Sequence, residues 1–337
     1  MARLHPYRLL IALAAVMALV APVRPAIASG APLDTAIGAV QPAVVQIDTT
    51  IDYQHAIGAG TGFLLNPNGE VLTNYHVVQG ADVITGHNVG SGQSFAADLI
   101  GYDRTHDIAL LQLRGASGLP VAPLGNSASV VIGEPAVAIG NANPGNPPTI
   151  ETGTITALDR TIDAKDALTG SSDELNGLIE VAANVRAGDS GGPLVNSAGQ
   201  VVGITVAATV NYRFAPGGKG FAIPINQALG IADQIRSRAP SDTVHIGPPT
   251  LLGVGVAAGD QDADVPGVVI REALRGGPAE QAGLVDGDIL TSINGAPVNS
   301  ATTLTRMLDL HYPGDVVDLT WIDRAGQQRT GKATLAS

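Results

Sequence analysis

From Ala43 onward the apolar residues of this chain come in short runs cut off by Gly, Asn and Asp. Val44–Ile47, Gly62–Leu65, Val71–Thr73, Ile108–Leu113, Val137–Ile139, Leu178–Val181 and Val201–Val206 are such runs. Runs this short suit strands, and the polar and glycine residues between them supply the turns. Gly (42) and Pro (22) make up 64 of 337 residues, about 19%, against a usual background of about 12%. The chain therefore reads as mainly β, built from antiparallel barrels or sandwiches.

One helical pattern follows, with Leu229, Ala232, Ile235 and Arg236 at three- and four-residue steps after Asn226. Residues 239–249, polar and marked by Pro240, Gly247, Pro248 and Pro249, read as a linker. They separate a first domain, 33–238, from a compact second one, 250–336, of ordinary domain size. In the second, Asn294-Gly295 signals a hairpin turn. Ala301 to Leu310 reads as a helix with Leu304, Met307 and Leu308 on one face, ending before Pro313-Gly314.

Residues 1–28 have the form of a secretory signal: Arg3 and Arg8, an apolar run from Leu9 to Val20, and Ala26-Ile27-Ala28 as a cleavage site. The run is short for a membrane span, which disfavours an uncleaved anchor. Removing the segment takes away three Arg and no acid, so the formal charge moves from −12 to 15 − 30 = −15. So acidic a protein repels nucleic acid and anionic membrane surfaces. With no cysteine, it has no disulfides and relies on core burial. An export signal without disulfides points to a bacterial envelope or secreted protein.

The chemistry concentrates at Gly188-Asp189-Ser190-Gly191-Gly192-Pro193, read with His76 and Asp107 far upstream. A serine hydroxyl attacks poorly unless a base takes its proton and donors stabilise the oxyanion. Glycines around Ser190 permit a tight turn that frees the Gly188 and Ser190 N–H groups for that task. Alone, the stretch also fits a plain turn, or the G-x-S-x-G elbow of esterases. The elbow needs its acid and histidine after the serine, where only His245 and His311 lie, and Pro193-Leu194-Val195 continues as a strand. The order His76, Asp107, Ser190 is that of chymotrypsin-like enzymes. His106 is the rival base, but adjacent strand residues face opposite ways, so Asp107 should not grip it. His55 and His87 read as loop residues.

Thr73-Asn74-Tyr75-His76-Val77-Val78, His106-Asp107-Ile108-Ala109-Leu110-Leu111, Ala138-Ile139-Gly140-Asn141, Gly188-Asp189-Ser190-Gly191-Gly192-Pro193-Leu194 and Gly220-Phe221-Ala222-Ile223-Pro224 occur in the order found in high-temperature-requirement (HtrA/Deg) serine proteases. The chain resembles that family over roughly residues 35–335, with the likeness strongest to its secreted mycobacterial PepA-type members. The resemblance implies a chymotrypsin-like double six-stranded β-barrel followed by an α+β PDZ domain. It also implies ATP-independent endopeptidase activity on unfolded or damaged proteins, no cofactor, and a homotrimer. His76, Asp107 and Ser190 match its triad, and Gly188 with Ser190 its oxyanion hole. Leu251, Leu252, Gly253 and Val254 match the PDZ loop whose N–H groups receive a C-terminal carboxylate. Leu304 and Leu308 would line the pocket for the peptide's last side chain, or lie in the core. The alternative is a latent protease acting mainly as a chaperone-like or peptide-binding protein.

The chain departs from many members at Asp189, where they have Asn. Digestive trypsins also have Asp there, and pair it with an N-terminal amine freed by cleavage; no Ile-Val-Gly-Gly-like start exists here. Asp189 is expected either to be solvated or to pair with Arg186. The specificity pocket should lie near Asn184 and Gly203-Ile204-Thr205, where nothing acidic would grip Lys or Arg, so small or medium apolar side chains are expected. Asp260, Asp262 and Asp264 mimic a calcium loop, but Val265 and Arg271 stand where it needs Gly and Glu. No P-loop, dinucleotide fingerprint or metal site is read.

Overall fold

A computed structural model describes residues 33–51, 56–141, 147–165, 172–206, 218–256 and 267–337. The signal-like segment, His55 and the acidic stretch at 260–264 lie outside them.

Six strands form the first barrel: β1 (Val44–Ile51), β2 (Ala56–Leu64), β3 (Glu70–Thr73), β4 (Val83–Asn88), β5 (Ser94–Asp103) and β6 (Ile108–Leu113). They pair antiparallel in the order β5-β4-β1-β2-β3-β6, and β5 also pairs β6. Six more close the second barrel: β7 (Pro135–Gly140), β8 (Thr149–Lys165), β9 (Ser172–Val181), β10 (Pro193–Asn196), β11 (Val201–Val206) and β12 (Gly220–Pro224). The sequence explains the closure: β6 and β11 are buried along almost their whole length, as strands inside a closed barrel must be.

Three helices accompany the barrels, α1 (Leu33–Val40), the single turn α2 (Tyr75–Val78) and α3 (Ile225–Arg236). Helix α3 packs against β11 and β12 on one side and β5 and β6 on the other, so it straddles both barrels. Its buried face is Ile225, Ala228, Ile231, Ala232 and Ile235. The stripe is rotated from the expected one: Leu229 is half-buried, and Arg236 leaves the apolar face to pair with Glu70.

The expected linker is partly a strand. Within it β13 (Val244–Ile246) pairs with β5, Val244 opposite Asp103, and extends the first sheet. Val244 and His245 are buried, and that burial outweighs the turn-rich sequence around them.

The PDZ unit contains β14 (Val254–Val256), β15 (Val268–Ala273), α4 (Pro278–Ala282), β16 (Ile289–Ile293), β17 (Ala296–Pro297), α5 (Ala301–Asp309), β18 (Val316–Ile322) and β19 (Gln328–Thr334). Its sheet runs β14-β15-β16-β18-β19, around a core that includes Leu252, Leu290, Leu304 and Trp321. Asn294 and Gly295 have φ of 50° and 77°, the left-handed pair that a two-residue hairpin between β16 and β17 requires. Ser300 caps α5 by accepting the Thr303 N–H at 3.0 Å. The molecule is thus a mainly β, chymotrypsin-like double barrel followed by an α+β PDZ domain. Among the described residues no helix is long and apolar enough to cross a membrane.

Candidate active site

Strand pairing closes the 31-residue gap between His76 and Asp107. Strands β3 and β6 are antiparallel with Thr73 opposite Ala109, so the residues just after β3 meet those just before β6. Asn74 holds the junction, donating its side-chain N–H to the Asp107 carbonyl at 2.9 Å. Asp107 lies in a turn with φ of 55°, a conformation Asp tolerates better than most residues. From there its carboxylate takes His76 at two points, the backbone N–H on Oδ1 at 2.9 Å and ring Nδ1 on Oδ2 at 2.8 Å. An ionised carboxylate only accepts, so Nδ1 carries the proton and Nε2 is the ring nitrogen that can accept one. The Asp107 side chain is 9% exposed and that of His76 39%, so the carboxylate is buried and the imidazole reaches the surface.

The Ser190 loop joins the same place through Thr61, a fully buried threonine of β2. Thr61 donates its N–H to the Ser190 carbonyl at 2.9 Å and its hydroxyl to the Gly188 carbonyl at 2.7 Å. Its own carbonyl accepts from the Thr73 hydroxyl at 2.6 Å, three residues before His76. Gly191, with φ of 84°, lies so close that a Cβ there would overlap the Thr61 carbonyl and come within 3.1 Å of the Asn74 N. Only glycine fits that contact. Gly188 has φ of 95°, and among the described residues its N–H meets no acceptor.

Two family models match this chain, a trypsin-like peptidase domain over residues 60–204 and a PDZ domain over 243–322. The solved structure of an HtrA-type protease, AlgW with a tripeptide, superposes with a TM-score of 0.54 at 27% identity, covering 90% of this chain and 97% of that one. The serine protease PepD of Mycobacterium tuberculosis is 33% identical over 310 residues, covering 88% of this chain. The chain belongs to the HtrA family of trypsin-like serine proteases. A further HtrA relative, a probable periplasmic serine protease of Haemophilus influenzae, is 34% identical over 289 residues and covers 82% of the chain. The chain spans 64% of the length of the first of these two curated relatives and 58% of the second.

Neither expectation for Asp189 in this HtrA chain holds as stated. Asp189 is 3% exposed, so it is not solvated. Arg186 does bind it, but through its backbone N–H at 2.8 Å, while the Arg186 guanidinium pairs with Glu151 at 3.3 Å. With its amide oxygen turned toward Arg186, Asn184 accepts from the same guanidinium at 2.9 and 3.0 Å. Thr205, expected at the pocket wall, is fully buried and spends its hydroxyl on the Asp189 and Gly192 carbonyls at 2.7 and 3.0 Å.

The rival histidines have other partners. His106 lies in the turn before β6 rather than in a strand, and Asp103 grips it by N–H at 3.0 Å and by Nδ1 at 2.8 Å. That hydrogen bond raises the His106 pKa above its ordinary value. A raised pKa means stability that is complete below about pH 6.5 and fades as pH climbs through the folded-state value. His106→Ala should therefore lower the urea midpoint more at about pH 5 than at about pH 9. His87 is not a loop residue: it lies in β4 and bonds Ser94 at 2.6 Å and Asp48 at 3.0 Å. His245 is buried at the domain junction, its ring nitrogens 2.9 and 3.0 Å from the Asp309 and Pro248 carbonyls.

That junction reaches from the PDZ domain to the residue beside His76. Rings of Tyr75, Tyr102, His245 and Tyr312 stack in succession, with centroids 4.2, 5.0 and 4.5 Å apart. Asp309, at the end of α5, accepts from the Tyr102 hydroxyl at 2.7 Å and from Arg104 Nε at 2.5 Å. Burial pushes the Tyr102 hydroxyl well above its usual pKa, so it stays a neutral donor. Arg104 also donates to the Tyr75 hydroxyl at 3.0 Å.

In the PDZ unit the Leu251 N–H donates to the Ala336 carbonyl at 2.8 Å, which removes it from the expected carboxylate donors. Gly253 has φ of 75°, and β14 is an edge strand of its sheet. Leu304 is 5% exposed and packs in the core, whereas Leu308 is half-buried against it.

Proposed function

We propose that this chain is an exported, ATP-independent serine endopeptidase that cleaves unfolded or damaged proteins, with a PDZ domain that receives C-terminal peptides. The observation that carries the reading is the two-point grip of Asp107 on His76, beside the loop that Thr61 ties to the same strands. Ser190 attacks the peptide carbonyl while His76 Nε2 takes its proton, then returns it to the leaving amine. Asp107 keeps the proton on Nδ1 and stabilises the imidazolium. The Gly188 and Ser190 N–H groups receive the oxyanion. Water then hydrolyses the acyl-enzyme, with His76 again as base.

The open edge of β14 and the left-handed Gly253 support peptide capture by strand addition, with Leu252, Gly253 and Val254 supplying the carboxylate donors. Leu308 is the better of the two expected pocket leucines, since Leu304 is core. Likeness to a relative described as periplasmic supports an envelope address, and the family likeness adds a homotrimer.

Labelling with a serine-reactive fluorophosphonate, followed by mass spectrometry of the tagged peptide, tests this. The label is expected on Ser190 and lost in Ser190→Ala. No label on Ser190 with or without a C-terminal peptide would overturn the enzyme reading and leave the chaperone-like one.

A further inference from the structure

We infer that Thr149 is a positioning residue for this active site, clamping the oxyanion loop through the carboxylate of Asp189. The inference rests on the proposed endopeptidase reading. Asp189 lies between the two proposed oxyanion donors, so whatever fixes it fixes Gly188 and Ser190 together.

A carboxylate buried as deeply as this one must have its oxygens satisfied. Among the described residues no cation pairs with it, and its oxygens divide between two neutral donors. Oδ2 accepts the Arg186 N–H at 2.8 Å, while the Asp189 N–H returns to the Arg186 carbonyl at 2.9 Å. That reciprocal pair is local. It shapes the turn but does not say where the turn sits on the barrel. Oδ1 accepts the Thr149 hydroxyl at 2.5 Å, from 40 residues away. This second bond anchors the turn to the start of β8.

The strands are built to take the carboxylate. Thr149 faces Gly140 directly across the β7–β8 ladder. A Cβ at Gly140 would overlap the Asp189 carboxylate and stand 2.8 Å from its Cα. One member of the cross-strand pair thus donates, and the other makes room by having no side chain. The next residue, Asn141, gives its N–H to the Thr61 hydroxyl at 2.8 Å, the same hydroxyl that holds the Gly188 carbonyl. The end of β7 therefore borders the loop at Asp189 directly and at Gly188 through Thr61. A threonine hydroxyl thus meets this buried acid before the serine at the oxygen where a charged partner could have stood.

Thr149→Val keeps the volume and removes the donor, and Thr149→Ser keeps the donor. The expected result for Val is a fall in kcat on a peptide substrate of about 10- to 100-fold, the scale for a misplaced catalytic group, with KM within about twofold. Ser should restore kcat. Hydrogen exchange of the 186–190 amides gives a readout independent of turnover, and it should quicken in Val but not in Ser. Exchange in the Val variant equal to wild type would overturn the clamp whatever the activity. A wild-type enzyme that cleaves nothing would instead overturn the endopeptidase reading, while the exchange comparison still decides the clamp.

Discussion

Asp107→Asn should lower kcat by about four orders of magnitude while leaving the protein folded, as the same change does in a catalytic triad of this kind. Asn suits the backbone, since the φ of 55° at this position is one that Asn adopts readily. The side chain is the difficulty. Asp107 accepts two His76 donors, one on each oxygen, and an Asn amide has a single oxygen to offer. If that oxygen keeps the backbone N–H, the amide NH₂ faces Nδ1 and forces the ring proton onto Nε2, where the base should be. If it keeps Nδ1, the backbone N–H of His76 loses its partner and the ring is no longer fixed. Steady-state kinetics over a pH series checks this, with circular dichroism to show an intact fold. A drop below about tenfold would mean that Asp107 does not set the tautomer.

Asp309→Ala should cost about 3–5 kcal/mol of stability, the range for removing one partner of a buried ion pair. The Arg104 side chain is 9% exposed and Asp309 16%, so Arg104 would be left as a buried cation with its carboxylate gone. The Tyr102 hydroxyl would lose its acceptor in the same step. Asp309 sits at the carboxyl end of α5, where the helix dipole disfavours a negative charge, so only Arg104 and Tyr102 make its place tenable. Denaturant titration followed by a protease-domain probe and a PDZ probe measures the loss. A loss under about 1 kcal/mol would mean that the two domains part and water reaches Arg104, as for a surface pair.

The parts of the site that were legible in the sequence are those whose signal is local. His76, Asp107 and Ser190 each sit in a short motif, and their order selects one arrangement of barrels. Thr61, Asn74 and Thr149 were not legible, because each works through a partner 33 to 127 residues away that only strand register supplies. Thr61 left a faint trace, as a polar residue opening the apolar run Gly62–Leu65. His106 carries a local signal as well: Asp103 is three residues before it, the spacing of a turn and not of a strand. Arg186 meets Asp189 through its backbone N–H and not its guanidinium, which sequence spacing cannot distinguish, because a backbone N–H binds a buried carboxylate without bringing in a second charge. Residues 244–246 read as linker because proline and glycine flank them, yet three residues suffice to pair with β5.

That late strand bears on how the protein is made. β13 pairs with β5 across 141 residues, Val244 with Asp103, and between them lies the entire second barrel. A ribosome releasing the chain from its amino end delivers His76 and Asp107 early, but residues 101–103 of β5, paired with β6 on one side, keep their other side open until Ile246 emerges. The second barrel, Ser190 included, must therefore be synthesised before residues 101–103 of β5 gain this last partner. The half-made chain passes through a stage in which three residues of β5 present unpaired N–H and C=O groups, the stage at which edge-to-edge association with another chain is easiest.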